Sequence, residues 1–269
     1  MTGQAGRTKN AKNDGRDISE AVRLMMASLP NTEEVLSHGS PSFKVAGKTF
    51  ATYNINHHGD GRVALNLDAP AGAQQLYTEM EPEYYFVPPY VGPKGWLGVE
   101  LNTGISWKSV VARTLEAYEK RAPAKLMDAV PEDLADKPPE RKFRPEEVDP
   151  FLGERAQTVL TELEAICDRL PETSRDSQFG NPVWKAGKKT FVSTAYYTGR
   201  MNLSFRVGPE RQSALADVPR YHIPAYTGHN GWINLDVEEH ADWEEIEGLL
   251  LESYRHFALK RMLKALGEA

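Results

Sequence analysis

The chain states one pattern twice, and this repeat constrains its fold more than any other feature. Residues Pro41-Ser42-Phe43-Lys44-Val45-Ala46-Gly47-Lys48-Thr49-Phe50 return as Pro182-Val183-Trp184-Lys185-Ala186-Gly187-Lys188-Lys189-Thr190-Phe191. Tyr90-Val91-Gly92-Pro93-Lys94-Gly95-Trp96 returns as Tyr226-Thr227-Gly228-His229-Asn230-Gly231-Trp232. Leu29-Pro30, Tyr85, Trp107 and Tyr118 are echoed in order by Leu170-Pro171, Tyr221, Trp243 and Tyr254. The offset falls from 141 to 136 residues along the way, so the first copy carries five extra residues. A period this long with two copies means two fused domains, because solenoid repeats run about 20–50 residues. The repeat is also an internal control: a residue present in one copy alone cannot be essential to both.

The 269 residues therefore divide into a first repeat over 17–127 and a second over 151–269, with a connector at 128–150. A composition of 40% hydrophobic and 26% charged residues is that of an ordinary globular protein. The single cysteine, Cys167, excludes an internal disulfide framework and a thiolate zinc site, and its helical neighbours suggest a buried apolar role. No apolar run approaches the roughly 20 residues of a membrane span, and the polar start lacks a signal peptide, so a cytoplasmic location and no membrane partner are expected.

The net charge is −6. Residues 1–16 carry Arg7, Lys9, Lys12 and Arg16 against Asp14, and are expected to be a disordered basic tail. Both repeats are mildly acidic, which disfavours nucleic-acid binding through bulk charge and demands a local basic face instead.

Hydrophobic periodicity predicts helices at 18–29 and 155–170, each stopped by a proline (Pro30, Pro171). Strands follow at 42–45, 49–55 and 62–67, and at 183–185, 190–197 and 200–207. A short helix (71–80; 209–217), an aromatic and proline-rich loop, a strand opening at Trp96 or Trp232, and a final helix from Ser106 or Asp242 complete each copy. The fold class is thus α+β: two tandem units, each an antiparallel sheet with helices packed on one face. The proline- and acid-rich 128–150 reads as a stiff, solvated polar connector.

Two repeated features are candidate contact surfaces. The hairpin presents Lys44 and Lys48 in one copy and Lys185, Lys188 and Lys189 in the other, and a lysine-bearing ribbon can lie along a phosphate backbone. The competing reading is an edge hairpin kept soluble by its lysines. Arg62, Arg200 and Lys94 extend the basic set. The Tyr-x-Gly-x-x-Gly-Trp loop leads into a strand, so it offers no helix N-terminus to a phosphate. Its tyrosines and tryptophans could stack on a base or planar ligand, in a cleft lined by Tyr85, Tyr90, Trp96, Tyr221, Tyr226 and Trp232. The alternative packs the tryptophans inward, with the glycines making turns. Trp107, Trp243, Tyr118 and Tyr254 read as anchors of the last helix.

The seven histidines occupy no matching positions, which excludes a shared histidine metal site or general base. The acidic run from Asp236 to Glu247 reads as a solvated helix start. No nucleophile–base set recurs. No catalytic residue, metal site or cofactor is therefore expected, and the role is binding rather than turnover.

The series Leu29-Pro30, His38-Gly39, Pro41, Phe43, Val45, Gly47-Lys48, Phe50, Gly95-Trp96, Trp107 and Tyr118 resembles the MmcQ/YjbR family. The resemblance covers 18–127, and more loosely 155–266, so the chain looks like a tandem of that domain. It implies a CyaY-like fold and a double-wing DNA-binding motif, with Lys44, Lys48, Lys185 and Lys189 as the wing positions. Phe179 stands where the first copy has His38, and the hairpin glycine moves from the second turn position to the first at Gly187. The expected role is a non-catalytic DNA-binding or DNA-associated protein acting as a monomer with a pseudo-dimeric pair of repeats. The alternative is a protein that binds a small aromatic molecule.

Overall fold

A computed structural model of the chain describes residues 15–267. The expected basic tail at 1–16 lies outside the described residues except for Gly15 and Arg16. The chain forms two compact units, one ending at Val148 and the next beginning at Asp149.

The first unit starts with α1 (Ile18–Ser28), whose first turn is capped by Asp17 accepting from the Glu20 amide at 2.9 Å. Then come β1 (Glu33–Ser37), β2 (Ser40–Val45), β3 (Lys48–Ile55), β4 (Val63–Leu67), α2 (Ala73–Met80), β5 (Tyr85–Phe86), β6 (Leu97–Glu100), α3 (Trp107–Glu119) and α4 (Pro145–Val148). The second unit runs α5 (Glu154–Cys167), β7 (Thr173–Gln178), β8 (Asn181–Ala186), β9 (Lys189–Tyr197), β10 (Arg200–Arg206), α6 (Gly208–Ala216), β11 (Tyr221–His222), β12 (Trp232–Asp236), α7 (Trp243–Phe257) and α8 (Lys260–Ala265).

Each unit holds one six-stranded sheet, ordered β1-β2-β3-β4-β6-β5 and its equivalent β7-β8-β9-β10-β12-β11, with every pairing antiparallel. The α+β reading holds, with two more strands per sheet than periodicity indicated. Strand β7 is Thr-Ser-Arg-Asp-Ser-Gln, an edge strand held by backbone pairing whose side chains are largely exposed. Such a strand has no apolar alternation for a sequence to display. Strands β5 and β11 are two residues long.

Helix α3 packs on β3 and β4, and α7 packs on β9 and β10. Both hairpins carry a bulge at the same place, between Phe43 and Lys44 and between Trp184 and Lys185. The unpaired residues, Phe50 and Phe191, are fully buried, and each meets the inward tyrosine of the last helix edge-on at 5.4 Å (Tyr118 and Tyr254). Trp107 and Trp243 pack against the two cores as expected of helix anchors.

The hairpin turns differ, as the displaced glycine implies. Ala46 and Gly47 both have positive φ, the pattern of a type I′ turn, whereas in Gly187-Lys188 only the glycine does.

Residues 128–148 depart from the expected solvated connector. Leu134 and Val148 are buried in the first core, and Asn102 clasps the Phe143 backbone with bonds of 2.9 and 3.1 Å. Arg141 pairs with Asp17 and Glu147, and Arg16 with Glu140. Val130, Ala135 and Phe143 pack against the same core beside Leu134 and Val148, so apolar side chains set among the prolines and acids hold the segment down. Among the described residues no helix is long and apolar enough to cross a membrane.

Candidate functional site

Strand alternation sends one set of side chains into each core and the other to the opposite face of the sheet. On that open face of the second unit the register aligns one row across the sheet: Val183, Ser193, Ser204, Asn234 and His222. The row is short-chained and polar at its centre, so it forms a floor. Ser204 donates its hydroxyl to Asn234 Oδ1, and Asn234 Nδ2 donates to His222 Nε2 at 3.0 Å. A histidine that accepts at Nε2 is neutral with its proton on Nδ1. Burial lowers the His222 pKa in keeping with this, although Asp236 pulls the other way. The chain of bonds leaves His222 Nδ1–H as a donor with no protein partner among the described residues.

Around this floor stands an aromatic rim. Tyr197 stacks on His222, ring centroids 5.0 Å apart and planes 27° from parallel. Phe179 and Tyr226 are 79% and 90% exposed, and Ile223 is half exposed. Together they enclose a groove of about 480 Å³ over Val183, Ser193, Ala195 and Asn234. Phe179 has φ of 52° in the β7–β8 turn. His38 has the same backbone at the matched turn of the first unit, with φ of 51°, so the left-handed conformation belongs to the repeated turn and not to the groove.

The first unit lacks this groove's polar end. Its matching row is Ser42, Thr52, Asn66, Gly98 and Phe86. Gly98 replaces the asparagine, and the Phe86 ring fills the space a Cβ there would occupy, 2.5 Å away. Arg62 then stacks on Phe86 at 4.2 Å. Tyr90 is exposed and faces His57 and His58 at 6.2 and 5.8 Å between ring centres.

Several expected contact residues are placed elsewhere by packing. Tyr85 and Tyr221 are core residues, 2% and 5% exposed, because their strand partners Val99 and Leu235 face inward; neither can reach a ligand. Lys185 is tied to Asp176, and Arg200 to Asp236 and Glu239. Arg62 lies 3.8 Å from Glu100. These three are therefore not free cations. Among the described residues no carboxylate lies within ion-pair distance of Lys44, Lys48, Lys94, Lys188 or Lys189, which sit in or beside the hairpin tips and, for Lys94, in the glycine loop. Trp96 and Trp232 are half buried at the start of β6 and β12.

The Tyr-x-Gly-x-x-Gly-Trp loop is structural. Val87 and Ile223 press so close to Gly92 and Gly228 that a Cβ would stand 2.5 and 2.3 Å away, and Gly95 and Gly231 adopt positive φ. One glutamine from the preceding helix braces each loop: Gln74 Nε2 donates to the Gly92 and Trp96 carbonyls, and Gln212 Nε2 to those of Gly228 and Trp232. These glutamines, 138 residues apart, match in both copies, a signal the sequence reading passed over.

The YjbR family model matches residues 27–120 and again 168–256. A solved structure, protein DR2400 of Deinococcus radiodurans with a DUF419 domain, is 21% identical, covering 41% of this chain and 88% of its own, with a TM-score of 0.35. No curated protein matches the chain. Two matches that together span most of the chain, one on each six-stranded unit, place it in the YjbR family as a tandem of that domain.

Proposed function

We propose that the chain is a non-catalytic binding protein whose second unit takes a small, planar, uncharged heterocycle in the open-face groove. The observation that carries this reading is the pairing of an aromatic rim (Phe179, Tyr197, Tyr226) with a polar floor ending in His222, whose Nδ1–H has no protein partner among the described residues. Stacking accepts any planar ring, and a single oriented donor selects one bearing an acceptor on its edge. The lining supports a neutral ligand, since no lysine, arginine or carboxylate is among the groove residues. The test is a thermal-shift and ligand-observed NMR panel of free nucleobases, nicotinamide and indole. At least one heterocycle with a ring acceptor raises the melting temperature, and Tyr226→Ala with Tyr197→Ala removes the effect; a panel that shifts nothing sinks the reading.

A second reading, duplex DNA, has in its favour the ion-pair-free lysines Lys44, Lys48, Lys188 and Lys189 around the hairpin turns. It ranks lower because Arg62, Lys185 and Arg200 are spent on internal carboxylates. Fluorescence anisotropy on duplex DNA at low salt decides it, since phosphate contacts are strongest there.

A further inference from the structure

A second cavity of about 480 Å³ lies in the second unit, where β10 and β12 meet the last turn of α7. Arg206, the last residue of β10, stands opposite Trp232 in the register. His256 and Phe257 end α7, with Phe257 5.9 Å from the Trp232 ring. His229 enters from the loop before β12, and Pro209 from the first turn of α6. No carboxylate is among the lining residues. Among the described residues Arg206 has no acidic partner, and it lies near enough to His256 to reinforce the lowering of that histidine's pKa by burial.

The first unit supplies the comparison. Leu67 pairs with Leu97 as Phe205 pairs with Ile233, so Asp68 is the counterpart of Arg206. Tyr118 and Tyr254 fix the helix alignment, making Lys120 and Arg121 the counterparts of His256 and Phe257. In the first unit this corner is self-contained: Asp68, its side chain 2% exposed, takes Lys120 at 2.7 Å on one oxygen and Arg121 on the other. In the second unit the anion has gone, its place is held by an arginine, and a cavity has opened.

We propose that this corner of the second unit is an oxyanion site, taking a phosphate-type group carried on an aromatic ring. Arg206 supplies a two-pronged donor to the anion. His229 and His256 stand at its sides, and Trp232 with Phe257 forms a wall for the ring. The site is separate from the open-face groove and does not depend on the reading of that groove.

Two probes test it on the full chain at constant ionic strength: inorganic phosphate and phenyl phosphate. The histidine ring protons are followed by NMR and assigned with His256→Gln and His229→Gln. The His256 and His229 signals are expected to shift saturably, with phenyl phosphate binding about tenfold tighter than phosphate. Arg206→Gln should weaken both at least tenfold. Arg206→Asp, which transplants the first unit's carboxylate, should abolish binding while the protein still melts cooperatively. A linear drift that is the same in wild type and Arg206→Gln, or a saturable response confined to other histidines, overturns the site. Equal affinity for the two probes overturns the aromatic wall.

Discussion

The hydroxyl of Tyr254 donates to the backbone carbonyl of Pro171 at 2.7 Å, across the unit from α7 to the turn that follows α5. Tyr118 makes the same bond to Pro30 at 2.6 Å. The repeated tyrosine and the repeated Leu-Pro are thus one device: a proline ends a helix, and its carbonyl finds a donor 83 residues away in one copy and 88 in the other. Tyr254→Phe keeps the edge-on contact with Phe191 and removes only this bond. Leaving the carbonyl short of its donor is expected to cost about 1–3 kcal/mol, read as a lower denaturant midpoint with an unchanged slope. Loss of less than a few tenths would mean that water replaces the hydroxyl.

Segment 128–148 should behave as part of the first unit. Leu134 and Val148 are buried in that core, so Leu134→Ala is expected to destabilise by about 2 kcal/mol, the low end for a buried leucine. Chemical denaturation provides the check. A substitution in a solvated tether would leave the midpoint unmoved.

What could be read from the residues alone divides along physical lines. The helical stripe Ile18, Val22, Met25, Met26 and the alternation Val63, Leu65, Leu67 encode burial in their own spacing, and both are buried as that spacing implies. The polar strand Thr173–Gln178 has no such code, because an edge strand is held by backbone bonds that any side chain permits. Partners distant in sequence were also hidden. Alternation could put Lys185 and Arg200 on the open face, but not reveal that Asp176 and Asp236 arrive beside them through strand register. The groove escaped for the same reason: His222, Asn234, Ser204 and Tyr197 come from four strands, and only the sheet order brings them together.

Gly98→Ala tests why the first unit has no such groove. The new methyl would stand 2.5 Å from the Phe86 ring, which must leave its place along with the Arg62 guanidinium stacked on it. The expected cost is about 1–3 kcal/mol, seen as a lower melting temperature. In a Phe86→Ala background the same substitution should be nearly neutral, since the clashing ring is absent; a cost that persists there would place the strain in the backbone instead.

The neutral histidine of the groove makes stability depend on pH with a definite sign. The His222 pKa lies below its ordinary value of about 6.5, chiefly through burial, so the unfolded chain takes up this proton first. Its contribution to stability is complete above about pH 6.5 and is lost as the pH falls through the lowered folded value. The stability gap between wild type and His222→Gln should therefore narrow on acidification from pH 7.5 to 5. A gap that widens over that interval would mean the folded ring prefers to be charged.

The two copies should also differ in stoichiometry. The second unit pairs Asn234 and His222 where the first has Gly98 beneath Phe86, and a ring already lying on the floor leaves no room for a ligand ring. A heterocycle that binds the groove should therefore saturate at one per chain by calorimetry, despite two matched domains. Tyr226→Ala should weaken it severalfold, as loss of one stacking face does, while Tyr90→Ala leaves it unchanged. Two equivalent sites, or equal sensitivity to both tyrosines, would show that the ligand reads something the copies share. The asymmetry between Asn234 and Gly98 would then have no bearing on binding.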